Sequence, residues 1–203
     1  MKLDHIMFAA NDLDAGIEHL QALTGVRAAA GGSHPGGGTR NALLSFGTSQ
    51  YLEIIAPDPA QSINGTLGEE IARAEQPFIR TWAAATTDFQ PVIDAAETAG
   101  YQHHIVDMSR TRPEGVALAW QLLFIHQHPF GLALPFFINW QDSPHPADDA
   151  PAGCGLEKFT VSLQEPEALS TFCDAIGLEI HVETGSAGMQ ATIDTPRGDV
   201  TLS

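Results

Sequence analysis

The sequence predicts an α+β protein built from strand–helix–three-strand (βαβββ) units, with helices on one face of the strands. Three coincidences of spacing predict it. The segments Leu3 to Gly25, Ile79 to Gly100 and Leu156 to Gly177 each open on a short apolar run: LDHIMFAA, IRTWAAAT and LEKFTVSL. An acid stands nine residues after each opening position, at Asp12, Asp88 and Glu165, and a glycine closes each segment at Gly25, Gly100 and Gly177. The units begin 76 and 77 residues apart. Self-similarity at a fixed period is the mark of a repeated supersecondary element.

Within each unit the opening run reads as a strand and the next stretch as a helix. Leu13, Ile17 and Leu20 recur at helical spacing in the first unit, and Leu169, Phe172, Cys173 and Ile176 in the third. The second helix carries a poorer stripe, Phe89, Ile93 and Ala96. Acids favour the positive end of a helix, and a closing glycine accepts the left-handed conformation that ends one. Strands are expected near 26–30, 39–46 and 50–56 in unit one, with Gly47-Thr48-Ser49 as a turn. They are expected near 103–106, 116–125 and 134–140 in unit two, and near 179–183, 189–193 and 199–202 in unit three. The connector from Pro57 to Pro77 holds Thr66 and Glu69 at capping-box spacing before Ile71, so a short helix is expected there. The stretch QDSPHPADDAPAGCG, residues 141–155, reads as an exposed linker. The division is therefore residues 1–140 as two units (1–57 and 79–140, joined by the helical connector 58–78), the linker 141–155, and a compact third unit over 156–203.

Composition bounds the function. The chain has 203 residues, 25 Asp+Glu against 9 Lys+Arg, a net charge of -16 and 43% hydrophobic residues. That balance describes a globular protein with enough surface to bury a core. Its charge argues against DNA, RNA or anionic lipid as the main partner, since each is also negative. Met1-Lys2-Leu3-Asp4-His5 places an acid where a signal peptide needs its apolar core, so a cytoplasmic protein is expected. Cys154 and Cys173 form neither a disulfide framework nor a metal motif, and free thiols are expected. A small molecule or another protein remains as partner.

The stretches LDHIMFAANDLDAGIEHLQALTGV, GGSHPGGGTRNALLSFG, QYLEIIAPDP and PFFINW make the chain similar to the vicinal oxygen chelate superfamily. Within it, unit one resembles the glyoxalase-like domain group. The superfamily includes glyoxalase I, bleomycin-resistance proteins and extradiol dioxygenases. The resemblance implies curled mixed β-sheets forming a cleft, with helices outside. It also implies a divalent metal held by His on the first strand and Glu on the last strand of a unit, here His5 and Glu53. Zn, Ni, Fe or Mn would suit an imidazole and a carboxylate with open positions for vicinal substrate oxygens. The equivalent positions are Thr81 and Phe137 in unit two, and Lys158 and Thr201 in unit three, so no second His/Glu pair is present. Further donors would come from His34, His126 or His128.

Other readings of the same residues stay open. His5 is equally a core histidine, or half of a metal-free His5–Glu53 pair in which the carboxylate orients a general base. The glycine-dense loop 31–38 is a flexible connection or a lid, with His34, Arg40 and Asn41 as polar contacts. Arg112 would bind an anionic substrate group or a surface acid. Trp120 and Trp140 would wall an apolar cleft or simply pack the core. His126-Gln127-His128 puts two imidazoles on one side if extended, whereas Pro129 and Gly131 favour a turn. His103-His104 would point to opposite faces, and His145 between prolines would be exposed. The expected function is a glyoxalase-like lyase or isomerase using a divalent metal. The alternative is a non-catalytic protein that sequesters a small molecule, as bleomycin-resistance proteins do. The odd third unit is expected either to pad the sheet edge or to build a homodimer.

Overall fold

The computed structural model describes residues 1–111 and 117–203. Each repeat appears in the expected element order. The first comprises β1 (Lys2–Ala9), α1 (Leu13–Thr24), β2 (Ala29–His34), β3 (Thr39–Ser45) and β4 (Tyr51–Pro57), followed by the short helix α2 (Leu67–Ile71). The second comprises β5 (Phe78–Ala85), α3 (Gln90–Thr98), β6 (Gln102–Thr111), β7 (Ala117–His126) and β8 (Phe136–Asn139). The third comprises β9 (Gly155–Leu163), α4 (Glu167–Ala175), β10 (His181–Thr184), β11 (Gly188–Asp194) and β12 (Val200–Leu202). Among the described residues no helix is long and apolar enough to cross a membrane.

The closing glycines do what their spacing predicts. Gly25, Gly100 and Gly177 all sit in the left-handed region, at φ 81°, 76° and 64°. The repeated acids divide their roles. Asp12 is a true N-cap, its Oδ1 accepting from Ala15 N at 2.8 Å. Asp88 accepts from Gln90 N at 2.9 Å but stands one residue before the Phe89 cap. Glu165 precedes Pro166, which itself opens α4. The capping box at α2 also rearranges: Glu69 accepts from Gly65 N at 2.7 Å, and Thr66 turns its hydroxyl to Ile63 O at 2.7 Å.

Two compact bodies hold these elements. One contains residues 5–80, 146–159 and 190–203. Here β1 runs parallel to β4, β4 antiparallel to β3, and β3 antiparallel to β2. Helix α1 lies against the face bearing Ala42 and Ile54. At Gly16 an added Cβ would come within 3.0 Å of Ile54 Cγ2, so only glycine permits that approach. The segment expected as an exposed linker is seated on this body: Pro146 and Ala147 are buried, and Ser45 N donates to Pro151 O at 2.9 Å. Its apolar prolines and alanines are worth more against β3 than in water.

The other body contains residues 1–4, 81–145 and 160–189. Its β5 runs parallel to β8, β8 antiparallel to β7, and β7 antiparallel to β6. That is the connectivity of the first repeat again. Trp82 is fully buried and donates its indole N–H to Ala133 O at 2.9 Å. Phe172 of α4 joins Tyr101 and Phe130 in an aromatic cluster with centroids 6.0–6.5 Å apart. The third repeat keeps the element order but pairs differently, since its first strand β9 is parallel to its second, β10. A strand–helix–strand crossover gives that neighbour directly. Both cysteines are free thiols, and burial pushes the Cys173 thiol up to about 12, which leaves it inert.

Asp58 organises the glycine-rich turn. Its carboxyl is held below the ordinary 3.8, chiefly by hydrogen bonds from Gln61 and Ser33, with Ala60 N–H and the Arg40 charge adding to them against the effect of burial. Gln61 in turn accepts from Gly36 N at 3.0 Å, and Asp58 N donates to Gly38 O at 2.9 Å. A carboxyl lowered by folding contributes stability above its ordinary value and loses it as pH falls below. Urea midpoints measured between about pH 5 and 3 should therefore drop more steeply for the wild type than for Asp58→Asn.

Candidate active site

Four of the expected residues meet on one face of β2, β3, β4 and β1. Strand alternation puts His5 beside Tyr51 and Met7 beside Glu53 in the parallel register, and Leu43 opposite Glu53 in the antiparallel one. The His5 ring stacks on Tyr51 at 4.6 Å and 19°. Its Nε2 lies 3.8 Å from Glu53 Oε2, with both side chains buried. His5 is 3% exposed, Glu53 6% and Asn41 5%, so the carboxylate has almost no contact with bulk water.

Asn41 supplies what water does not. Its Nδ2 donates to Glu53 Oε1 at 2.6 Å and contacts His34 Nε2 at 3.1 Å. The amide therefore faces two acceptors, which fixes its orientation. Accepting at Nε2 leaves the His34 proton on Nδ1, which donates to Thr39 Oγ1 at 2.9 Å. His34 Nε2 is also 3.6 Å from Glu53 Oε1, and with its side chain 24% exposed it is the part of the cluster open to solvent. The far end of Asn41 is tight as well: an added Cβ at Gly31 would lie 2.2 Å from Asn41 Oδ1. Gly31→Ala should thus push Asn41 off Glu53, at a cost of about 1–3 kcal/mol of stability. Thermal melts, and loss of the Asn41 side-chain amide shifts in NMR spectra, would check it.

His34 reaches this face because of a bulge. The β2–β3 register runs Ala30↔Ala42 and then Gly32↔Asn41, so Gly31 is an extra residue. One inserted residue moves every later side chain to the other face. The expected strand near 26–30 and loop 31–38 are replaced by a strand continuing to His34 and a turn over 35–38. Hydrogen bonds from Gly36 N, Gly37 N and Asp58 N tie that turn down, which disfavours the lid reading.

The other expected residues are not part of this hydrogen-bonded cluster. Arg40, next to Asn41 on β3, alternates to the face of Ala42 and sits near Asp58. Trp120 and Trp140 pack together at 5.5 Å, and Trp140 donates its indole N–H to the buried Asp4 at 3.0 Å. Arg112 lies outside the described residues. His145 is half-buried rather than exposed, its Nε2 3.0 Å from Asp4 Oδ2. Asp4 was not anticipated, because a single acid in an apolar strand gives no sign of its partners. A cavity of about 490 Å³ lies between α3 and α4, lined by Asp94, Thr98, Tyr101 and Phe172 among others, and includes none of the expected site residues.

A divalent metal is tested by the donors. Among the described residues no group of three or more His, Cys, Asp or Glu side chains is placed to hold an ion. The Asn41 N–H takes the lone pair of His34 Nε2, so His34 is not available as a third ligand. In the second repeat Thr81 donates to Leu132 O, and Phe137 is fully buried. His5 and Glu53 alone fall short of the three protein donors usual for a catalytic metal centre. The arrangement does not fit one.

Residues 3–177 match the family described as glyoxalase-like domain. No curated protein shows significant sequence similarity to the chain. The structure is similar to a hypothetical protein from Staphylococcus aureus, at TM-score 0.71 and 16% identity, over 100% of this chain and 98% of that one. It also aligns with methylmalonyl-CoA epimerase from Mycobacterium tuberculosis at TM-score 0.46 and 20% identity, over 72% and 91% of the two chains. Streptomyces coelicolor methylmalonyl-CoA epimerase aligns at TM-score 0.46 and 22% identity, over 68% and 95%. At 16% identity the likeness to the Staphylococcus aureus protein concerns the fold alone. With the family pattern running over most of its length, the chain belongs to the glyoxalase-like domain family of the vicinal oxygen chelate superfamily.

Proposed function

We propose that this protein is a small-molecule enzyme that moves a proton at a carbon beside a carbonyl, on a substrate bearing neighbouring oxygens. One observation carries the reading: the buried Glu53 has one oxygen pinned by Asn41 at 2.6 Å and the other turned toward His5 at 3.8 Å. A carboxylate held this way needs little reorganisation to accept a proton. Glu53 takes the C–H proton and the electron pair moves onto the carbonyl oxygen as an enolate. Return of the proton to the same or the adjacent carbon gives epimerisation or isomerisation, and expulsion of a leaving group from the next carbon gives elimination. His5 exchanges the proton with Glu53 between turnovers, and Asn41 holds the carboxylate in place.

The competing reading is the divalent metal that the family implies, with His5 and Glu53 as two of its ligands and a third protein donor lacking among the described residues. The two separate in one experiment. Metal-stripped protein is incubated in D2O with a panel of 2-hydroxy ketones and 2-hydroxy thioesters, and exchange of the C–H beside the carbonyl is followed by proton NMR. Exchange without metal supports the proton-transfer reading. Exchange only after Zn, Ni, Fe or Mn is added supports the metal reading. Tight binding of a panel compound without exchange returns the sequestration reading. The third repeat is the proposed homodimer surface; a solution mass near one 21.6 kDa chain would overturn that assembly.

A further inference from the structure

Strands β6 and β7 form a ten-pair antiparallel ladder running from Gln102↔His126 to Thr111↔Ala117. In that register His104 faces Phe124, and His126 lies two residues further along the same strand, on the same side. Both histidines are exposed. Their rings are nearly parallel, at 16° with centroids 4.7 Å apart, and His104 Nδ1 lies 2.6 Å from His126 Nε2. Phe124 stacks on His104 at 5.2 Å and on Phe136 at 5.6 Å, which anchors the first imidazole to the sheet. The sequence offered only His103-His104 and His126-Gln127-His128 as neighbours in the chain. Gln127, at φ 60°, breaks the alternation that would have aligned His126 with His128. The pairing is across strands.

We propose that His104 and His126 form a surface site for a borderline first-row divalent cation of the Cu, Ni or Zn class, built from residues other than the His5–Glu53 cluster. Two facing nitrogens at 2.6 Å cannot both carry protons, so one holds the N–H and the other the lone pair. Moving that proton to the outward nitrogen of the same ring is a tautomer change that costs no net proton. The two nitrogens, 2.6 Å apart, then part by a few tenths of an ångström, to the roughly 2.9–3.3 Å that two metal–nitrogen bonds of about 2.0–2.1 Å span, and both lone pairs reach one cation. Imidazole suits this class of metals, and the exposed position leaves water to complete the shell. The strand ladder and the Phe124 stack hold the pair in place beforehand, which lowers the cost of binding. Cu2+ should bind tightest, and binding should weaken as pH falls because protons compete for the same nitrogens.

The probe is Cu2+ alone, added to the full chain at neutral pH and followed by calorimetry and electron paramagnetic resonance. The expected result is one equivalent bound with nitrogen ligation. His104→Asn and His126→Asn should each weaken binding at least about tenfold, while a His5→Ala/Glu53→Gln variant leaves it unchanged. Both substitutions are at exposed positions, and circular dichroism checks that the sheet is intact. Absence of stoichiometric binding, equal affinity in wild type and both Asn variants, or loss of the same equivalent in the His5→Ala/Glu53→Gln variant would each overturn the site. Because these readouts need no turnover, they stand or fall independently of the proton-transfer reading.

Discussion

Glu53→Gln should cut α-carbon exchange by about 10²–10⁴-fold, the usual contribution of a positioned general base. Glutamine is nearly isosteric and keeps an oxygen to accept the Asn41 N–H that now sits 2.6 Å from Oε1. It lacks the charge and the basicity that proton removal requires. The fold should persist, because the buried charge is lost together with its need for compensation. The diagnostic result is therefore a fall in kcat with an unchanged melting transition. Glu53→Asp keeps the charge but withdraws it by one methylene from Asn41, and should retain intermediate activity. A variant that lost stability and activity together would point to a structural role for the carboxylate, and retained exchange in Glu53→Gln would remove Glu53 as the base.

The second large effect is on stability, at Gly68. An added Cβ there would stand 2.1 Å from the Gly38 carbonyl oxygen and 2.8 Å from its carbon. Both are backbone atoms with no rotamer to yield. The contact seats α2 on the turn 35–38, where Gly68 N also donates to Gly37 O at 3.3 Å. A five-residue helix does not hold by itself, so its stability comes from that seat. Gly68→Ala should cost about 1–3 kcal/mol or more. In a chain of this size that lowers Tm by about 2–4 °C for each kcal/mol. Gly188→Ala is the control, since the nearest contact to an added Cβ there is Ser186 O at 3.8 Å. Similar melting temperatures for the two variants would show that α2 tolerates displacement.

Much of the first repeat was legible because its signals are local. Apolar spacing placed α1, Asp12 capped it, and Gly25 ended it at positive φ. The strands near 39–46 and 50–56 emerged as β3 and β4 with small shifts at their ends. His5 and Glu53 were expected together from family resemblance and strand alternation, and the parallel β1–β4 pairing places them on one face. Less legible was anything that depends on a break in period. Glycine carries no side chain to report which face a strand presents, so the run 31–38 gave no register. Arg40 and Asn41 were grouped as polar neighbours, although consecutive strand residues point to opposite faces. The pairing of β9 with β10 was equally hidden, because the element order matches the other two repeats.

By itself the sequence determined the repeat: three βαβββ element orders at nearly constant period, each helix closed by a glycine that backbone sterics require. It also determined the acidic composition, a net charge of -16. Only the tertiary structure decided which polar residues share a site. The extra residue at Gly31 turns His34 toward Asn41 and Glu53, while Arg40 remains on the side of Ala42. The same applies to His104 and His126, separated by 22 positions and brought to 2.6 Å by one strand register. Periodicity is written into neighbouring residues, whereas register is fixed by which strands pair and where a bulge resets the count.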